Sequence, residues 1–216
     1  MNDYIKRWYP AALALTACAV SLAVFDRLPD SMAVHWDLAG NPNGWMPKSV
    51  GAFITPVIIL VSWLTLRLAP LIDPRRPTYE KFTGAYDLTV AALLAMVFVM
   101  HFVLLAVALG YPLPVARIAP ALIGAVFVVV GNVMPRARSN FMFGIRTPWT
   151  LSNERVWART HRLAGYTMTG AGGVMILSAA LLSPDLLGAV IVAAIVAALV
   201  APAVYSYLTF RRESKA

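Results

Sequence analysis

The chain has 216 residues, of which 60% are hydrophobic and 13% are charged, with a formal net charge of +8 at pH 7. Soluble domains carry about 25% charged residues, so the composition excludes a water-soluble domain and indicates an integral membrane protein. The cations lie at the ends of apolar runs rather than in a basic patch, so we expect no direct nucleic-acid partner. The single cysteine, Cys18, excludes a disulfide framework within the chain.

Six apolar runs follow one another along the chain, and each approaches the roughly 20 residues that cross a bilayer as a helix. The runs are Trp8–Phe25, Ser49–Leu71, Asp87–Leu109, Val115–Met134, Leu163–Leu182 and Leu186–Phe210. The first run is long for a signal peptide and lacks a clear cleavage site, so we expect it to be retained as a helix. The expected fold is an all-α integral membrane protein with six transmembrane helices.

The distribution of Lys and Arg predicts the orientation of these spans. On one side lie 15 of the 18 cations, and on the other lie Arg27, Lys48 and Arg117. By the positive-inside rule, both termini and the loop 135–162 are cytoplasmic, and the loop 26–48 faces outward. We expect an N-terminal half, residues 1–75, with the outward loop, and a C-terminal membrane domain, residues 76–216, with the cytoplasmic loop.

The outward loop combines turn residues at 41–44 with aromatic side chains. His35 and Asp37 would share a face of an extended segment and are weak metal-ligand candidates, with Asp30 or Asp26 as a third ligand. The alternative is a folded interfacial turn in which His35 hydrogen-bonds to its own loop. The candidate ligand-binding residues are His35, Trp36, Asp37, Gly40, Gly44 and Trp45.

Two features lie inside the spans. An ionisable residue within a span, such as His101, is a functional candidate, and its alternative role is that of a neutral residue bonded to a neighbouring helix. In the fifth span, Gly165, Thr169 and Gly173 lie four residues apart and favour close helix packing on one flat face.

The cytoplasmic loop mixes six arginines with Asn, Gly, Trp, Thr and His. Residues 139–144 are amphipathic and are expected at headgroup level. Ser152 is the expected N-cap of an interfacial helix that carries Trp157 and His161 and feeds into the fifth span. Plain lipid anchoring by the arginines and a specific binding surface both remain open. The candidate residues of this loop are Asn132, Pro135, Arg136, Asn140, Gly144, Arg146, Thr147, Pro148, Trp149, Trp157, His161 and Arg162.

Two stretches resemble a known family. The cytoplasmic stretch has Gly131-Asn132, Pro135-Arg136, Arg138-Ser139-Asn140, Gly144-Ile145-Arg146-Thr147-Pro148-Trp149-Thr150-Leu151-Ser152, Val156-Trp157 and Thr160-His161-Arg162, and it resembles the SdpI family. The outward stretch has Leu28-Pro29, His35-Trp36, Gly40, Gly44-Trp45 and Lys48, and it looks like a domain of unknown function often found as the N-terminal half of such proteins. The resemblance covers roughly residues 10–180.

The resemblance implies a six-span protein of the bacterial inner membrane and an SdpI-like domain in the C-terminal part. The family is named for immunity to a secreted peptide toxin, and some members work with a small cytoplasmic transcription regulator. The family offers no established catalytic residues to carry over to this chain.

The sequence therefore favours a binding protein that confers immunity to a secreted membrane-active peptide or senses it. Its expected partners are membrane lipids, such a peptide outside and a small transcription regulator inside, and an oligomer is compatible with the pattern. The alternative function is a small transporter or channel with a polar path near His101. An enzyme is not expected, because paired acids and known catalytic motifs are absent, although His35 with Asp37, or His161 with Glu154, could serve in principle. No cofactor is expected.

Overall fold

The computed structural model describes residues 3–214, with side chains described for 8–183 and 186–214. Three of the cations used to predict the orientation fall partly or wholly outside this description, namely the side chains of Lys6 and Arg7 and the whole of Lys215. The described helices are α1 (Asp3–Val24), α2 (Lys48–Ile72), α3 (Thr83–Ala108), α4 (Val115–Val133), α5 (Pro148–Ser152), α6 (Glu154–Leu181) and α7 (Pro184–Glu213). Short 3-10 turns occupy Phe25–Arg27, Arg76–Lys81 and Met134–Arg136.

The prediction of six membrane-spanning helices is confirmed. All helices except α5 are long and apolar enough to cross a bilayer. Their outward faces carry large apolar side chains such as Leu15, Leu64 and Leu177, each more than half exposed. Such a surface requires a lipid environment, so the chain is an all-α membrane protein in its overall architecture.

The spans pack as two groups of three. In the first group, α1, α2 and α3 enclose Ala14, Ala17, Ile59 and Leu94. In the second group, α4, α6 and α7 enclose a core that includes Ala164 and Ala198. Helix α3 also packs against α4 and joins the groups. The expected domain boundary between residues 75 and 76 stays a prediction.

Close approach of α4 and α6 depends on glycine. A methyl group at Gly124 would lie 2.7 Å from the Gly172 carbonyl oxygen, and one at Gly165 would lie 2.9 Å from the Gly131 carbonyl oxygen. The predicted packing face is therefore confirmed at Gly165 and also at Thr169, which contacts Gly131. The inclusion of Gly173 was wrong, because a methyl group there would meet no atom within 4 Å. A helix repeats every 3.6 residues, so position 172 continues the face and position 173 turns away from it.

The loop between α1 and α2 departs from the all-α expectation, since it forms an antiparallel hairpin. Strands β1 (Ser31–Trp36) and β2 (Pro42–Pro47) pair with Ala33 opposite Trp45 and His35 opposite Gly44. Met32 is fully buried with Leu28, Ala52 and Leu104 against the helices below. We call residues 31–47 the hairpin, and the end of the bundle that carries it the hairpin end.

The tip of the hairpin reaches across to the second helix group. Gly40 has a φ of +88°, and a methyl group there would lie 2.7 Å from Cβ of Ala116, near the start of α4. Leu38 packs beside Gly188 of α7, where a methyl group would lie 3.2 Å from Cβ of Leu38. The hairpin thus rests on α2 and α3 at its base and on α4 and α7 at its tip.

Candidate functional site

The predicted site residues fall at opposite ends of the bundle. One set lies on the hairpin. The other lies on the end of α4 and the 3-10 turn after it, on residues 137–153, which we call the junction loop, and on the first turns of α6. We call the end that carries the junction loop the loop end.

Within the hairpin, His35 and Asp37 are both engaged by neighbours. The His35 Nδ1 lies 2.6 Å from Asn43 Oδ1, so an Nδ1–H donates to that amide oxygen. The Asp37 carboxylate accepts the backbone N–H of Asn41 at 2.8 Å and the side-chain N–H of the same residue at 3.2 Å. These bonds, the backbone one first, hold the pKa of the Asp37 carboxyl below its usual value. They also support the interpretation as a folded interfacial turn.

The proposed metal ligands gain no third partner. Across the described residues, no cluster of three or more His, Cys, Asp or Glu side chains forms. Asp30, one of the two suggested third ligands, instead pairs with Lys48 at 3.2 Å. A metal site at His35 and Asp37 would therefore lack a third His, Cys, Asp or Glu ligand among the described residues.

The hairpin exposes two large apolar side chains among its polar ones. Trp45 is 59% exposed and Leu38 is 61% exposed, while Trp36 is half-buried. Gly44 is required by the pairing, since a methyl group there would lie 2.8 Å from Cβ of His35. The hairpin therefore presents a bulky side chain, Trp45, on a rigid support.

His101 lies in the first helix group and contacts α1. Its Nε2 lies 3.0 Å from the carbonyl oxygen of Ala17 and 3.3 Å from the hydroxyl of Ser21, and the side chain is fully buried. The Ser21 hydroxyl also donates to the carbonyl of Ala52. This arrangement links α1, α2 and α3 through polar contacts, which favours the structural role for His101.

At the loop end, a buried carboxylate at the end of α2 organises the junction loop. Asp73 is 4% exposed, and its Oδ2 accepts the backbone N–H of Phe141 at 2.8 Å. The Tyr79 hydroxyl lies 2.9 Å from the same oxygen, and the Arg75 N–H donates to Oδ1 at 2.7 Å. Burial, followed by the Asp73 hydrogen bond, raises the pKa of Tyr79 well above its usual value, so Tyr79 stays a proton donor.

Asn140, one of the predicted loop residues, is fully buried and continues this network. Its Oδ1 accepts the backbone N–H of Met142 at 2.9 Å and that of Phe143 at 2.6 Å, and its amide donates to the Arg138 carbonyl at 2.7 Å. The Tyr79 hydroxyl is 3.1 Å away. The expected headgroup-level segment 139–144 is thus partly interior, with Ser139 and Asn140 buried and Phe141 and Met142 exposed.

Arg75 holds the junction loop from the α2–α3 connection. Its guanidinium donates to the Ser139 hydroxyl and, at 2.9 Å, to the Leu151 carbonyl. It also lies over the Phe141 ring, 4.9 Å from its centroid. Three of its contacts therefore fix both ends of the junction loop.

The short helix α5 docks the junction loop on α7. Thr147 is its N-cap and forms a capping box with Thr150, and Pro148 occupies the first turn. The Thr147 hydroxyl lies 3.0 Å from that of Ser206, and the Trp149 ring packs 4.9 Å from the Tyr207 ring. Residues 148–152 therefore form a capped helical turn that packs against α7.

The start of α6 differs from the prediction. Asn153, not Ser152, is the N-cap, because the Asn153 Oδ1 accepts the backbone N–H groups of Arg155 at 2.8 Å and Val156 at 3.2 Å. The side chain of Ser152 instead bonds back to the Trp149 carbonyl. Residues 154–162 continue into the span as one helix, and the interfacial position expected for them stays a prediction.

The fully buried His161 side chain connects α6 to the junction loop. Its Nε2 accepts the backbone N–H of Ile145 at 3.0 Å, and its Nδ1–H donates to the Trp157 carbonyl at 2.9 Å. Gly144 has a φ of +98°, and any Cβ there would collide with the His161 ring. Trp157 stacks on His161 with ring centroids 4.0 Å apart and donates to the Ala137 carbonyl. Since both ring nitrogens are engaged, the arrangement argues against catalysis by His161 with Glu154.

The remaining predicted loop residues are mostly exposed. The Asn132 side chain bonds to the Val128 carbonyl in its own helix, and Pro135 packs against Gly165. Arg146 donates to the Phe141 carbonyl at 2.7 Å. Arg136 and Arg162 are exposed to solvent or lipid. Only part of the predicted motif therefore serves the internal fold of the loop.

Four residues that organise the loop end were not predicted as site residues from the sequence: Asp73, Arg75, Tyr79 and Thr150. A weak signal existed, because Asp73 is a carboxylate placed between an apolar span and the cations that follow it. A lone acid among cations at a membrane end is a candidate for a buried partner of a neighbouring loop.

Six apolar helices, a hairpin at one end and a folded loop at the other define a multi-pass membrane protein. The model of the SdpI/YfhL protein family matches residues 136–206, and that of the domain of unknown function DUF1648 matches residues 12–60. The immunity protein SdpI of Bacillus subtilis (strain 168) is 26% identical over 156 residues, which cover 72% of each chain. The chain therefore resembles the SdpI/YfhL family over residues 136–206, and it is a multi-pass bacterial membrane protein. No solved structure matches it.

Proposed function

We propose that this protein is an immunity protein that captures a secreted membrane-active peptide at the hairpin. The similar Bacillus protein is named an immunity protein. The observation that carries the proposal is the exposure of Trp45 and Leu38 on a hairpin that is braced against both helix groups. Aromatic side chains on rigid supports are frequent hot spots of binding, and a two-stranded sheet also offers strand edges to an extended peptide.

The orientation proposed for this role has the hairpin outside the cell. It follows from the 15 cations on the other side of the spans. In this orientation the hairpin meets a secreted peptide before or as the peptide enters the bilayer. A peptide held there would be kept from inserting into the membrane.

The loop end is the proposed contact for a small cytoplasmic regulator. A cavity of about 290 Å³ at this end is lined by Lys81, Arg138 and Glu154, together with Thr78 and Trp157. Its lining carries both signs of charge, which suits polar side chains of a protein better than a lipid phosphate alone. Bound peptide would act on this surface by shifting the balance between two arrangements of the bundle.

The test is protection of a strain that is sensitive to a secreted peptide encoded beside a member of this family. Wild-type protein is expected to raise the lethal peptide concentration, and Trp45→Ala to lower it again. Loss of a hot-spot aromatic costs about 2 kcal/mol, roughly a 30-fold loss of affinity. Tyr111→Ala is the matched control, because Tyr111 is also 59% exposed and lies at the same end, outside the hairpin.

Membrane levels of each variant are measured by immunoblot so that expression does not confuse the result. Equal protection by Trp45→Ala and wild type would show that the hairpin is not the capture site. Absence of protection by wild type at normal membrane levels, against each such peptide tested, would overturn the immunity function itself.

A further inference from the structure

A shallow groove runs along the outer face of α7, and Leu163 of α6 borders it at the loop end. Its apolar part is a space of about 670 Å³ lined by Val196, Ala197, Val200, Ala201 and neighbouring apolar residues. At the loop end it meets a second space of about 360 Å³ lined by Arg159, Arg162, Tyr166 and Tyr205. Leu163 and Tyr205 line both spaces, so the two form one continuous groove.

The groove is long enough to hold a lipid tail. Its lining residues on α7 run from position 193 to position 208, which at 1.5 Å per residue is about 22 Å. One leaflet contributes about 15 Å of hydrocarbon to the bilayer. The apolar part can therefore hold an acyl chain while the cationic mouth stays at the level of the headgroups.

The mouth of the groove carries excess positive charge. Glu213 pairs with Arg159 at 2.7 Å and with Arg155 at 3.6 Å, so one carboxylate faces two guanidinium groups. Arg162 is exposed, and within the described part of the chain no hydrogen bond or ion pair holds its guanidinium. Tyr166, which is 72% exposed, and Tyr205 add hydroxyl groups beside it. Guanidinium and phenol groups suit a phosphodiester.

We propose that this groove is a binding site for an anionic phospholipid, with one acyl chain against α7 and the phosphate at Arg162. A lipid whose headgroup lacks a cation is preferred over a zwitterionic one, because the mouth already has more guanidinium than carboxylate groups. A second copy of the chain fits this face less well. Two copies related by a two-fold axis along the bilayer normal would bring their arginine clusters together at the same depth, which costs electrostatic energy.

The experiment is native mass spectrometry of the purified full chain in detergent with equal amounts of phosphatidylglycerol and phosphatidylcholine. Wild-type protein is expected to retain phosphatidylglycerol preferentially. Arg162→Gln is expected to weaken that binding about five-fold, as for loss of one cation near anionic lipid, and Arg162→Lys to keep most of it. Ala197→Phe, which fills the groove without a change of charge, is expected to remove bound lipid of both kinds.

Arg76→Gln is the matched control, since Arg76 is an exposed cation at the same end and lies away from the groove. Equal weakening by Arg76→Gln and Arg162→Gln would show diffuse surface attraction and overturn the site. Retention of phosphatidylglycerol by a folded Ala197→Phe protein would do the same, and Ala201→Phe replaces it if it does not elute as a folded species. Loss of a dimer in these variants with unchanged lipid binding would assign the groove to a second copy. Displacement of bound lipid by millimolar inorganic phosphate would contradict the role of the acyl chain.

Discussion

The close contact between α4 and α6 predicts that replacement of Gly131 by alanine destabilises the bundle. Substitution of Gly131 by alanine would place a methyl group 2.7 Å from the backbone nitrogen of Thr169 and 2.9 Å from the Gly165 carbonyl oxygen. Both of these are backbone atoms that cannot rotate away. The methyl group would also meet the hydroxyl of Thr169 at 2.5 Å, which a rotamer change can relieve.

The magnitude follows from this geometry. Ordinary contact begins at 3.4 Å, so the helices must separate by about 0.7 Å, enough to forfeit a quarter or more of the dispersion attraction of the neighbouring contacts. Overpacking of this kind costs about 1–3 kcal/mol, and the better helix propensity of alanine offsets up to about 1 kcal/mol of it. We expect a net loss of about 1–2 kcal/mol in the free energy of unfolding.

The assay is unfolding of the purified protein in mixed micelles by titration with sodium dodecyl sulfate, followed by tryptophan fluorescence. Gly170→Ala is the control, because a methyl group at that position of α6 would meet no atom within 4 Å. It is expected to be neutral or slightly stabilising. If Gly131→Ala unfolds at the same detergent fraction as Gly170→Ala, the reasoning about the α4–α6 contact is refuted.

Two further predictions concern the ends of the bundle. Asp73→Ala leaves the part-buried N–H of Phe141 without its acceptor, at a cost of about 1 kcal/mol. It is expected to speed tryptic cleavage of the junction loop, and an unchanged cleavage rate would contradict the proposed role of this carboxylate. The Asn41 hydrogen bonds lower the pKa of the Asp37 carboxyl. They therefore stabilise the hairpin at pH values above the ordinary aspartate pKa of about 3.9. This stabilisation is lost as the pH falls through the lower pKa of the folded state. A carbon-13 titration of the Asp37 carboxyl should give a midpoint below 3.9, and Asn41→Ala should raise it part of the way; a wild-type midpoint at or above 3.9 would refute this.

The spans could be predicted because lipid imposes a local rule. A helix that crosses a bilayer must be apolar for about 20 residues, whatever its neighbours are. The apolar pattern therefore predicted all six helices. Their ends differ from the predicted ones by five residues or fewer, except that α6 begins nine residues before Leu163. The small residues at 165 and 169 likewise indicated a packing face, since close helix approach requires them.

The hairpin and the buried hydrogen bonds around Asp73 could not be predicted from local sequence patterns. The strands form because Met32 is covered by residues of α2 and α3, which are distant in the sequence, and strand preference depends on such tertiary contacts. The amide that Asp73 binds lies 68 positions further along the chain. His161 was singled out as a polar residue with a possible role outside the fold, yet both its partners are backbone groups.

Helix α2 has an unusual mechanical position. The hairpin ends at Pro47 and the helix begins at Lys48 without an intervening linker, and Asp73 follows directly after its last residue. The 25-residue helix spans about 37 Å and contains Pro56 and Pro70. One continuous helix therefore joins the base of the hairpin to the Asp73–Phe141 hydrogen bond at the opposite end of the bundle, and its two prolines are the positions at which it can bend.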